Sequence, residues 1–500
     1  MPNFFIPFAL TCIVLLAAAV VRPRLIYEYP YFMAATFTAF ILPQAYALYR
    51  DQWGGIYLRM TLLMCFLCVA CCWLGYQRRP HPALLSKLNI PIDLARFLQG
   101  GIVLVLIGLF FTYKSGTAPE EELSSRMTGI STVYLFFGGL VYPGFAICFY
   151  CALKRGWIIA WLAAFGAAVI PIQAALFYGR REPTVLFLMS VGLGVFFIKG
   201  KSAPRWAIIA AVMAAMLFIP STSEYRQLAN EHPFDAFREI NFMEQFRGAL
   251  DPDAISELKN ATALIAATQE TGDYEFGVGY WNQIVFRFVP AQFLGRDFKD
   301  SLMIGGEQRD MSDFVYDVLG FQLPVGLTVT GMGDAFNEFG YLGCLFFAAV
   351  GYLFKTLWAA ANRPNGIVAQ ILYIQITTSA MRAATHQTID FLPAFIYGLT
   401  FIGAIGFYAR ERGVFAAPLS SPPVPAQLLS SESRCHFSPH RSLSLRATGS
   451  SGAPLRCHRH RDRSGNAGLR MVACRRRRGI FASHFVSQWR YANDVREAGF

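Results

Sequence analysis

Charge is what this chain has least of. Asp, Glu, Lys and Arg make up 15% of its 500 residues while 54% are hydrophobic, whereas soluble domains are roughly 25% charged. That balance excludes an ordinary soluble globule. Cysteine is missing from residues 221–337, so a disulfide framework has nothing to stand on there even in an oxidising compartment. Cys68 and Cys72 lie one helical turn apart in an apolar run but have no His or carboxylate beside them, and they read as packing residues rather than metal ligands. Gly331 and Gly333 lack the third glycine of a dinucleotide fingerprint and read as a turn. No metal or cofactor constellation is expected.

Lysine is absent beyond Ala417, where fourteen Arg and four acidic residues give a net charge of +10 out of the chain's +12. The basic character therefore belongs to the tail and leaves the rest of the chain near neutrality. Residues 221–337 carry eighteen acidic and eight basic residues, which argues against nucleic acid as a partner. The tail is rich in Ser, Pro, Arg and His, without apolar periodicity, and is expected to be disordered. Fourteen Arg with no Lys also suits a frameshifted or extended terminus that encodes no folded domain. Cys457, His458 and His460 resemble zinc ligands only by proximity, since such a site needs four ligands held in order.

What the chain has in abundance is apolar runs, and a bilayer crossing needs about 20 such residues. They place membrane helices at residues 4–21, 29–49, 56–76, 98–113, 130–152, 156–178, 184–200, 205–220, 339–358, 366–382 and 390–409. The fold class is thus an all-α polytopic membrane protein of about eleven helices. It divides into residues 1–220 (helices 1–8), a large loop at 221–338, residues 339–410 (helices 9–11) and a basic tail at 411–500. The first run lacks a positive n-region and is followed by Arg22 and Arg24 instead of a small-residue cleavage site, so it is kept as a helix. One set of alternate short loops holds thirteen Lys and Arg and the other seven. The positive-inside bias puts the first set in the cytoplasm. The N-terminus and the large loop then face outward, and the tail faces inward.

A loop that long is uncommon without a function, and this one is rich in Phe, Tyr and Trp. It is expected to fold as short helices against the membrane surface, with an amphipathic one near 233–248. Charged groups at outer helix ends need a reason, because Lys and Arg favour the inner side. Arg180, Arg181 and Glu182 stand at one such end, where snorkelling anchors and a local ion pair are the plain alternative. Gln375, Thr378, Arg382, His386 and Asp390 are spaced by three, four, four and four and would share one helical face, lining a cavity or pairing among themselves. Arg287, Arg296 and Lys299 flank Phe288–Val289–Pro290, and Asp334 and Glu338 precede the ninth helix, with solvated charge as their bland reading. Asp251 and Asp253 form an Asp-x-Asp, but on the outer side no nucleotide sugar would meet it. Guanidinium forks at headgroup depth suit the pyrophosphate of a lipid-linked glycan. A nearby His or carboxylate could take a proton from an attacking hydroxyl.

Phe288–Val289–Pro290, and then the run from Gly326 through Asp334, Asn337 and Glu338 to Gly343, resemble the passage from outer loop into helix of the Wzy-type O-antigen or oligosaccharide repeat-unit polymerases. The resemblance extends over roughly residues 30–410. It implies a GT-C-like fold and polymerisation of undecaprenyl-pyrophosphate-linked repeat units on the outer, periplasmic face of a bacterial inner membrane, without a metal. Lipid-linked glycans and membrane lipids would be its partners, and a chain-length regulator is admitted as another. Arg180, Arg181, Arg287 and Arg382 match the role of the family's outer arginines, with His386, Asp390 and Glu338 as candidate catalytic groups. An O-antigen ligase shares the leaving group and is the nearest alternative. A flippase or other transporter is the non-enzymatic one, against which stands the lack of visible internal repeats and of paired broken helices near the midplane.

Overall fold

The structure, a computed structural model, describes residues 4–117, 130–229, 233–251, 256–324 and 328–411. Among these residues there is no strand. Helices stand at all eleven expected positions, and eight stretches are long and apolar enough to cross a membrane. The chain is an all-α, multi-pass membrane protein. Of the other three helices, Phe5–Val21 and Arg205–Phe218 are shorter, and Ile367–Thr385 is diluted by Gln370, Gln375, Thr377, Thr378 and Arg382. From residue 412 the expected tail, with Cys457, His458 and His460, lies outside the described residues, as do Arg126, Asp253, Gly326 and Leu327.

The packing is that of a membrane bundle. In Ile158–Leu176 the buried residues are Ala160, Ala164, Ala167, Ala168 and Pro171, while Ile158, Ile159, Leu162 and Phe165 are each more than 60% exposed. Small side chains turned inward and large apolar ones outward suit contact with lipid, where close backbone approach drives helix association. The same logic joins Gly55–Tyr76 to Cys344–Ala361: a Cβ on Gly75 would lie 2.0 Å from the Ala348 carbonyl oxygen, and one on Gly351 2.3 Å from that of Cys72. Cys71 and Cys344 bring their sulfurs to 3.5 Å on this seam and are free thiols.

Two expectations need correction. Gly331 and Gly333 are not a turn; they lie inside the helix Thr330–Phe339, which continues through a 3-10 turn at Gly340–Gly343 into Cys344–Ala361. The whole forms one apolar stretch of 32 residues, broken where Gly340 takes φ +59. Residues 330–338 thus begin a broken helix instead of ending a loop. The supposed helix near 233–248 is in fact two, Pro233–Glu239 and Phe242–Ala249, the second capped by Asn241, whose side chain accepts from the Glu244 amide.

The rest of the loop is short helices, as expected, apart from one that is not superficial. Glu257–Thr271 buries every residue from Leu258 to Thr268 and joins the main core through Leu258, Ala261 and Ile265. Ala263, Leu264 and Ala267 on its other side build a small second core with Val315, Leu323 and Val329. The loop is therefore keyed into the bundle.

Candidate functional site

The helix Ile367–Thr385 ends because His386 leaves helical geometry at φ −118, ψ −85. Its amide still donates to the Arg382 carbonyl at 2.7 Å. A 3-10 turn, Thr388–Asp390, then opens Phe391–Tyr408. Arg382, His386 and Asp390 are thus not on one continuous helix. The chain folds back instead, and brings Asp390 Oδ2 to 3.0 Å from Arg382 Nη2. Arg382 Nη1 reaches Glu182 at 3.2 Å, so Glu182 pairs across 200 positions instead of with its neighbouring arginines.

The loop closes this cluster with one face of Val278–Phe288. Tyr280, Gln283 and Arg287 are spaced by three and four, the stagger that stacks side chains on a helix. The Tyr280 hydroxyl meets Thr388 Oγ1 at 2.7 Å, Gln283 Nε2 donates to Asp390 Oδ1 at 2.7 Å, and Arg287 Nη2 lies 3.5 Å from the same oxygen. From the far side, Asp334 holds the turn. Its Oδ2 accepts from the amides of Thr388 at 2.6 Å and Ile389 at 3.1 Å and from the Thr388 hydroxyl. The orphan amides at the start of a helix are normally capped from the residue before it; here the cap comes from another helix.

Two arginine nitrogens remain unsatisfied. Arg382 Nε and Arg181 Nε are buried donors with no hydrogen-bond partner. Buried polar groups are nearly always paired, and an exception needs an explanation. Both guanidinium groups act on His386: burial first, then Arg382 and Arg181, push its pKa down to about 4, with Asp390 opposing. The imidazole is neutral at physiological pH, with Nδ1 2.9 Å from Thr385 Oγ1. Arg180 is exposed and lies over the Tyr178 ring.

Beside Arg287 a cavity of about 420 Å³ opens between the helix Ile130–Gly138 and the loop. Phe136, Phe137, Phe286, Phe288 and Phe293 wall it, with Arg287, Arg296 and Lys299 among its lining groups. Lys299 is partly committed, donating to the Phe286 carbonyl at 3.0 Å. Among the described residues no group of His, Cys, Asp and Glu is arranged to hold a metal ion. Neither a family model, nor a curated protein, nor a solved structure matches this chain.

Arg181, Arg287, Arg382, His386 and Asp390 are therefore brought together. Glu338 is not with them: it is fully buried at the break of Thr330–Phe339, its Oε2 accepting from the Gly277 amide at 2.7 Å. Asp334, read as a solvated charge, is also fully buried. Its signal was available, since two acids four apart among apolar residues and glycines share one helix face. Tyr280 and Gln283 were missed as well, though their three- and four-residue spacing to Arg287 puts all three on one helix face.

Proposed function

We propose that the protein is a polysaccharide polymerase. It would move a growing glycan from its undecaprenyl pyrophosphate to a hydroxyl of a new lipid-linked repeat unit, at the outer face of a bacterial inner membrane. In this reading the helices make eleven crossings in a GT-C-like frame, the N-terminus and the loop face the periplasm, and the tail faces the cytoplasm. The observation that carries it is the convergence of Arg287 and Arg382, from distant parts of the chain, on the Asp390 carboxylate beside an aromatic cavity, with Arg181 acting on the neighbouring His386.

The chemistry follows from these positions. Arg382 and Arg181 each keep a buried Nε donor for phosphate oxygens, and the ion pairs to Glu182 and Asp390 fix the Arg382 fork beforehand. As the glycosidic C–O bond breaks, the electron pair goes to the pyrophosphate, and prepositioned donors stabilise that growing charge more than the ground state. The incoming hydroxyl oxygen forms the new bond to the anomeric carbon and gives up its proton. His386 and Asp390 stand beside the arginine cluster; one orients that hydroxyl and the other takes its proton. The phenylalanine-walled cavity beside Arg287 suits the first isoprene units, with Arg296 at its rim.

Deleting the gene and analysing surface and lipid-linked glycans tests the reading. Core glycolipid bearing a single repeat unit is expected. Loss of all attached units would indicate a ligase, and unchanged polymer would overturn both.

A further inference from the structure

The break in Thr330–Ala361 carries a second cluster that the proposed reaction does not use. Residues Glu275–Gly277 of the loop cap the end of Thr330–Phe339. The Glu275 amide donates to the Asn337 carbonyl at 3.1 Å and the Phe276 amide to that of Glu338 at 2.9 Å, satisfying carbonyls that a helix C-terminus leaves open. Phe276 and Gly277 reach this position with φ +51 and +94. At the same seam, Glu338 Oε1 is buried without a partner. A Cβ on Gly279 would meet that oxygen at 2.1 Å and Glu275 Oε2 at 2.6 Å. Two carboxyl oxygens from different elements therefore converge over the bare Cα of Gly279.

We infer that Glu275 and Glu338 share one bound proton, which latches the loop to the broken helix. Two ionised carboxylates so placed would repel in a poorly solvated site, and a shared proton is the ordinary resolution of such a pair. The surroundings compensate only in part: the Gly277 amide donates to Glu338 Oε2 at 2.7 Å and the Gly279 amide to Glu275. Arg309 approaches Glu275 Oε1 at 4.0 Å but is already bound to Asp273 at 2.7 Å. Asp334 lies one turn before Glu338 and adds negative charge, and Tyr280 borders the pair without a charge to offer. Asn337 donates to the other Glu275 oxygen at 3.1 Å. Burial raises the Glu275 pKa, with the Asn337 hydrogen bond, Arg309 and the Gly279 amide opposing and Asp273 adding to the rise. The proton joins the two acids as O–H···O; its loss leaves two like charges over Gly279 and loosens the latch.

The test does not depend on the polymerase reading. Infrared spectra of the full chain in lipid nanodiscs at neutral pH, with isotope-labelled glutamate, should show a protonated-carboxyl band that shifts with the label. Glu338→Gln and Glu275→Gln should each abolish it, because the amide then donates to the remaining carboxylate, whereas Glu244→Gln should keep it. No labelled band in the wild type, a band surviving both substitutions, or a band removed by Na⁺ at constant pH would overturn the inference. The wild-type measurement decides even where a variant fails to fold.

Discussion

Arg382→Ala is expected to leave the protein in the membrane while polymer disappears and single lipid-linked units accumulate. The substitution removes the buried Nε donor together with the links to Asp390 and Glu182. Loss of one preorganised donor typically costs about 10²- to 10³-fold in rate, and Arg382 holds two partners besides. Arg382→Lys keeps the charge but not the planar fork, so it should recover little. Arg180→Ala should have a much smaller effect, because Arg180 is exposed and stacked on Tyr178. Chain-length ladders, read beside membrane-fraction immunoblots, check all three. A normal ladder from Arg382→Ala would remove Arg382 from the site.

Gly331→Val is expected to cause the largest loss of stability. A Cβ at Gly331 would lie 1.8 Å from the Ala383 carbonyl oxygen, so Thr330–Phe339 would have to move off Ile367–Thr385. Overpacking of this kind costs about 1–3 kcal/mol where side chains give way, and more where backbone must move. Because Ala383 follows Arg382 and Asp334 holds the Thr388–Asp390 turn, any displacement would also reach the arginine cluster. Gly192→Ala is the control, since nothing lies within 4 Å of its added Cβ, and alanine is the better helix former by about 1 kcal/mol. Thermal unfolding of the purified variants in detergent should separate the two clearly.

Helix positions were legible because an apolar run of membrane length is a composition signal that needs no tertiary information. Arg181, Arg382, His386 and Asp390 were legible as charges out of place at helix ends, and Arg287, a loop residue with solvated charge as its plain reading, only through the family resemblance. Their geometry was not: the three-four-four-four spacing suggested a continuous helix, whereas Asp390 reaches Arg382 only because the chain leaves helical geometry at His386 and turns back. Asp334 and Glu338 look like solvated acids until Glu257–Thr271 and Val278–Phe288 are folded over them, and contacts so distant in sequence leave no local periodicity. The glycines of Thr330–Phe339 were misread for the same reason. Their demand comes from Ala383 and Ala261, which lie across the packing seam, and not from a turn.

The central claim is that the arginine cluster drives transfer of a glycan from a lipid pyrophosphate. The most direct measurement incubates the purified protein in proteoliposomes with undecaprenyl-pyrophosphate-linked repeat units and no nucleotide sugar, and follows products by mass. The account predicts a ladder growing by whole repeat units with release of undecaprenyl pyrophosphate, lost in the Arg382→Ala protein. Movement of intact lipid-linked units across the bilayer with no lengthening would contradict it.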